Sequence, residues 1–238
     1  MVWVLMILYL TVSVIDCVLA ETMNISAQNV KKGRSGFVLE TDRQASVYRA
    51  FRVFKFCLMP LLLIYYVAAC LKTGRSPSAL IMLALAFGFG GDFLLEMGAK
   101  WFPVGTLSFL LGHIFYVIAF LIPVRWSAVS PIVWVLLAVY IAYGAFMLTN
   151  LFKTPAAYEL RHVLIVYLAA LVSLSVSALL RSTYVNSKSF VIVYIGSLLF
   201  LLSDTILAFS QFQEKSRHGV MITYTAAQFL LILGLLMA

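Results

Sequence analysis

Two aspartates, Asp92 and Asp204, stand inside runs that are otherwise apolar, and they are the residues best equipped for chemistry. Asp92 falls in Phe87-Gly88-Phe89-Gly90-Gly91-Asp92-Phe93-Leu94-Leu95-Glu96-Met97, and Asp204 in Leu199-Phe200-Leu201-Leu202-Ser203-Asp204-Thr205-Ile206-Leu207. An aspartate at the centre of a membrane span costs roughly 2.5 to 3.5 kcal/mol on insertion scales, so it needs a partner and a task. Two carboxyls sharing a low-dielectric pocket separate their titrations, one keeping its proton while the other ionises, and can work as an acid–base pair. The plainer alternative is that each aspartate only makes a polar contact between helices.

The elements that must position them are membrane helices. The chain is 63% hydrophobic and only 11% charged, with a mean hydropathy of +1.03, whereas soluble domains are about a quarter charged. Apolar runs of bilayer length recur at about 2–20, 51–71, 78–97, 105–122, 130–149, 161–180, 189–210 and 218–238. They do not alternate, which excludes a transmembrane barrel. The expectation is an all-α, polytopic eight-helix transmembrane bundle forming a single domain over 1–238, with 21–50 as a basic, flexible loop and 51–238 as the core. The net charge of +8 reads as membrane topology and anionic headgroups, not as nucleic-acid binding. Cys17, Cys57 and Cys70 lie in apolar runs without metal-ligand spacing, so no metal and no cofactor is expected.

The first run ends in Val18-Leu19-Ala20, which resembles a signal-peptidase site, but it lacks a basic leader and reads better as a retained helix. The sequon Asn24-Ile25-Ser26 lies too near that run to carry weight. Loops after odd-numbered spans hold eleven Lys and Arg against five after even-numbered ones, which puts the odd loops in the cytoplasm and both termini opposite.

Depth ties the remaining polar residues to the aspartates. Each aspartate lies about six residues before its span ends, roughly 9 Å inside, and the following span returns from that end. His113 stands about eight residues into one returning span, and Tyr224 and Gln228 about six and ten into the other, roughly 9 to 15 Å deep. Lys55 enters from the same side. His113 with Tyr116, and Tyr224 with Gln228, share helical faces. Lys55, Asp92, His113, Tyr116, Asp204, Tyr224 and Gln228 therefore form one candidate site in one half of the membrane. Lys55 could instead snorkel to the surface. Asp16 and Glu96, nearer their span ends, are read as interfacial. Asp92 precedes His113 by 21 positions and Asp204 precedes Tyr224 by 20, a faint sign of two related four-helix halves.

Lys55 and Pro60, Gly91-Asp92, Gly112-His113-Ile114-Phe115-Tyr116, Ser203-Asp204 and Thr223-Tyr224-Thr225-Ala226-Ala227-Gln228 together resemble the YhhN-like family of eight-span membrane proteins, over roughly residues 50–238. That family includes lysoplasmalogenases. The resemblance implies hydrolysis of the sn-1 vinyl ether of lysoplasmenyl-ethanolamine or -choline to a fatty aldehyde and the glycerophospho-alcohol. Asp92 and Asp204 would be the acid–base pair. His113, Tyr116, Tyr224 and Gln228 would orient water and glycerol oxygens, and Lys55 would meet the phosphate. The implied partners are a lysophospholipid substrate and membrane lipid; a homodimer stays open. The implied location is the endoplasmic reticulum, as a multi-pass protein. The rival reading is a proton-coupled transporter using the aspartates as a relay.

Overall fold

The computed structural model describes residues 1–31, 41–213 and 215–238. Apart from three short 3-10 turns, every regular element among them is an α-helix: α1 (Val2–Lys31), α2 (Thr41–Lys72), α3 (Ala79–Leu95), α4 (Phe102–Leu121), α5 (Ile132–Leu151), α6 (Pro155–Glu159), α7 (Arg161–Leu180), α8 (Ser187–Gln213) and α9 (Val220–Leu236). Long apolar runs become helices because hydrocarbon offers the backbone no other hydrogen-bond partner. Glycines in the left-handed region mark the breaks: Gly74 after α2, Gly98 after α3 and Gly219 before α9.

Six helices are long and apolar enough to cross a bilayer: 2–24 of α1, 45–72 of α2, α4, α5, 161–183 and α8. Two more, α3 and α9, are apolar but 17 residues long, or about 25 Å, slightly short of the hydrocarbon thickness. Large apolar side chains such as Val4, Ile64, Trp134, Ile141, Phe146 and Val166 face outward. This is a multi-pass helical membrane protein, lipid-facing on the outside.

The structure corrects the expected loop at 21–50. Helix α1 continues through residue 31 and α2 begins at Thr41; Lys32, Gly33 and Arg34 lie outside the described residues. Polar residues do not end a helix that is already propagating and carries no breaker. The sequon Asn24 consequently sits within α1.

Helices α3–α4 and α8–α9 form tight hairpins, and α1 packs on α2. Contacts of α2 with α3, α4 with α7, α7 with α8, and α9 with both α1 and α2 close seven helices into a ring; α5 lies outside, against α7 and α8. One end of the ring is solid. Leu58, Leu62, Leu85, Phe120, Leu174, Val193, Leu231 and Ile232 fill it. Polar stitches seal its rim: Arg75 donates to the carbonyls of Leu236 and Ala238, at 2.6 and 2.9 Å, and Asn186 to that of Met237 at 2.7 Å. The buried Arg181 lies 5.0 Å from the centre of the Phe120 ring and donates to Ser189 Oγ and Tyr184 Oη.

Small residues let the hairpins close. A Cβ at Gly112 of α4 would lie 3.1 Å from the Ala84 carbonyl oxygen of α3, and one at Gly196 of α8 would lie 3.0 and 3.1 Å from backbone atoms of Leu231 and Ala227 in α9. The Ala84–Gly88 stripe is thus a helix seam. We expect Gly196→Val to push α8 from α9 and to destabilise by about 1–3 kcal/mol, the usual penalty of overpacking, read as a lower melting temperature in detergent.

Candidate active site

At the opposite end the ring stays open around a cavity of about 430 Å³. All seven ring helices line it: Ala20 and Asn24 from α1, Tyr48 and Lys55 from α2, Asp92 and Glu96 from α3, Phe109 from α4, Tyr167 from α7, Ser203, Asp204 and Gln211 from α8, Met221 and Tyr224 from α9. Helical spacing explains the stripes. Tyr48 and Lys55, and likewise Asp204 and Gln211, are seven apart, and Asp92 and Glu96 four apart, so each set shares a face. Both aspartates face this one cavity.

The polar groups fall into two clusters. In the first, Lys55 Nζ lies 2.8 Å from Glu96 Oε1 and 3.9 Å from Asp92 Oδ1. Tyr224 donates to Asp92 Oδ2 at 2.8 Å, and Tyr48 donates to Glu96 Oε2 at 3.0 Å. Gly91 allows the ring of Phe109 against the α3 backbone, since a Cβ there would lie 2.5 Å from that ring. In the second cluster, Tyr167 donates to Asp204 Oδ2 at 2.6 Å, and His113 Nε2 stands 4.0 Å from the same oxygen. Ser203 donates to the Val220 carbonyl at 3.1 Å, holding the start of α9 beside Asp204. Each aspartate therefore keeps one oxygen on a tyrosine hydroxyl while its carboxyl faces the cavity.

Sequence reading and structure part at several residues. Lys55 does not snorkel: it is buried, ten residues into its span, and committed to two carboxylates. His113, Tyr116 and Gln228 do not line the cavity. Tyr116 donates to Gln228 Oε1 at 3.0 Å, and both are buried. The ring of His113 is wedged edge-on against Phe200 and Tyr167. These three support the wall rather than reach into the cavity. Glu96 caps the end of α3 and lines the cavity, whereas Asp16 lies at the middle of α1. Asp16 is wholly buried, one helical turn from the cavity-lining Ala20, and its two carboxyl oxygens have no hydrogen-bond partner among the described residues. The longer α1 places it mid-helix instead of near an end.

Tyr167 was missed, although the depth rule applied to its span would have found it, six residues from the same side. Among the described residues, no three His, Cys, Asp or Glu side chains converge as a metal-ligand set.

The arrangement can present two carboxyls to one substrate in one pocket, with tyrosine hydroxyls fixing their orientation. Its weak point is the buried ammonium. Lys55→Met leaves Glu96 and Asp92 without their cation, and breaking such a pair destabilises by roughly 3–5 kcal/mol. We expect thermal unfolding in detergent to show that loss, and Lys55→Met with Glu96→Gln to recover part of it.

No curated protein and no solved structure matches the chain. A family model does match, across residues 50–235, from early α2 to the end of α9 and so over every cavity-lining helix but α1. The chain belongs to the YhhN family.

Proposed function

We propose that this protein hydrolyses the sn-1 vinyl ether of lysoplasmalogens in the membrane, with Asp92 and Asp204 as the acid–base pair. The observation that carries the reading is the convergence of both carboxyls on one cavity. The implied activity of the YhhN resemblance supports it, and on the same resemblance we place the protein in the endoplasmic reticulum.

Vinyl ethers resist base and open in acid. A proton goes to the outer alkene carbon, leaving an oxocarbenium ion; water adds to the carbon bearing oxygen and gives up a proton. The hemiacetal then collapses to an aldehyde and the free glycerol hydroxyl, one water being consumed. The enzyme must supply a carboxylic acid on one side and a carboxylate on the other. An ammonium beside a carboxyl favours its ionised form. Lys55 lies beside Asp92, while no Lys or Arg among the described residues lies within ion-pair distance of Asp204. We therefore assign Asp92 as the carboxylate that stabilises the cation and receives the proton from water, and Asp204 as the acid. Tyr224 and Tyr167 orient them. Phe109, Leu95, Leu207 and Met221 offer the alkyl chain an apolar wall.

Asn keeps the volume of Asp and removes both proton and charge. Asp92→Asn and Asp204→Asn should each lose about a hundredfold or more in turnover, and the double variant should be little worse than either single. Aldehyde release by detergent-purified protein, set against melting temperature on the same preparations, reads the outcome. A well-folded, fully active Asp204→Asn ends the two-carboxylate mechanism. The saturated ether analogue should bind without being cleaved, since it offers no alkene to protonate; cleavage of both at similar rates rejects the mechanism. Purified protein that moves protons across vesicles but releases no aldehyde supports the transporter instead.

A further inference from the structure

Among the described residues two cationic side chains line the cavity, and they are in opposite situations. Lys55 is deep, buried and held by Glu96 and Asp92. Arg217, in the turn between α8 and α9, is exposed at the outer mouth, where Tyr48, Gly98 and Gln211 also reach the surface. Its guanidinium donates to Gln211 Oε1 at 3.0 Å, and no carboxylate among the described residues lies within ion-pair distance. The acidic side chains described beside the mouth, Glu21 and Glu96, are taken. Glu21 accepts from the Gly219 N–H at 2.8 Å and is bonded to His218; Glu96 is held by Lys55 and Tyr48. A guanidinium carries five N–H donors in a planar fork suited to phosphate, and one neutral acceptor uses few of them.

We propose that Arg217 is the cation of an anion subsite at the cavity mouth, and that it takes the phosphodiester of a lysophospholipid headgroup. This rests on the hydrolase reading and moves the phosphate contact from Lys55, which is committed to its carboxylates, to Arg217. Spacing supports it. Gln211, which holds the guanidinium, is seven residues beyond Asp204 on the same face of α8, a rise of about 10 Å. In a lysoplasmalogen the ether-bearing vinyl carbon and the phosphorus are six bonds apart, roughly 7 Å when extended, and a hydrogen bond of about 2.9 Å completes the reach. A phosphate on Arg217 thus leaves the vinyl ether beside the aspartates.

The test is binding by detergent-purified wild-type and Arg217→Gln protein, followed by thermal protection. Three short-chain probes are used, none of which can be hydrolysed: a saturated 1-O-alkyl lysophospholipid, the phosphate-free 1-O-alkylglycerol, and inorganic phosphate. We expect Arg217→Gln to weaken the lysophospholipid about tenfold or more and to leave the alkylglycerol within twofold, with Lys188→Gln, at the other end of the bundle, changing neither. Arg217→Lys should fall between wild type and Arg217→Gln. Equal weakening of lysophospholipid and alkylglycerol overturns the proposal, because Arg217 then only shapes the turn. Inorganic phosphate binding as tightly as the lysophospholipid overturns the headgroup assignment in favour of a free-anion site. None of these probes turns over, so failure to release aldehyde from a vinyl ether refutes the hydrolase reading while Arg217-dependent binding still stands or falls independently.

Discussion

A buried ammonium governs the interior of this bundle. Lys55 sits between Glu96 and Asp92 with almost no access to solvent. Charges taken out of water are tolerated only where attraction and hydrogen bonds offset lost hydration. That requirement ties α2 to α3 through the ion pairs and α3 to α9 through Tyr224. Three helices are thereby held at one depth and one rotation, and the wall of the cavity follows.

The two ends of the ring follow opposite logics. At the solid end, branched and aromatic side chains interdigitate, and glycines bring the backbones of α8 and α9 together. At the open end, carboxyls, hydroxyls and cations keep space between the helices, because each must face a partner or a ligand. The short helices α3 and α9 reflect this division. The cavity side chains of α3 lie in its last turns and those of α9 in its first, where the polar end of the ring begins.

Much of the site was legible. Asp92, Asp204, Lys55 and Tyr224 stood out because ionisable and hydroxyl groups are expensive in apolar spans, and depth counted along antiparallel helices puts them in one half of the membrane. Tyr167 obeys the same count, but no polar residue shares its helical face as Gln228 shares that of Tyr224. Asp16 was misplaced because composition locates a span and not the end of a helix: α1 runs on past its apolar stretch, so a residue near the end of the run lies in mid-helix. Gln228 shares the face of Tyr224 but lies one turn deeper, bonded to Tyr116 below the side chains that line the cavity; His113 has the right depth and is turned into the wall, for depth counts say nothing of azimuth around the ring.

From the sequence alone came the all-helical membrane class, the two aspartates and the level at which they lie. These depend on hydropathy and on a rise of 1.5 Å per residue, which are local properties of the chain. Only the tertiary structure decided which polar groups meet: that Glu96 pairs with Lys55, that Tyr167 serves Asp204, that Tyr116 and Gln228 bond to each other outside the cavity lining, and that Arg217 stands at the mouth. Those pairings depend on how seven helices are rotated against one another. That rotation is set by side-chain packing between residues far apart in the chain.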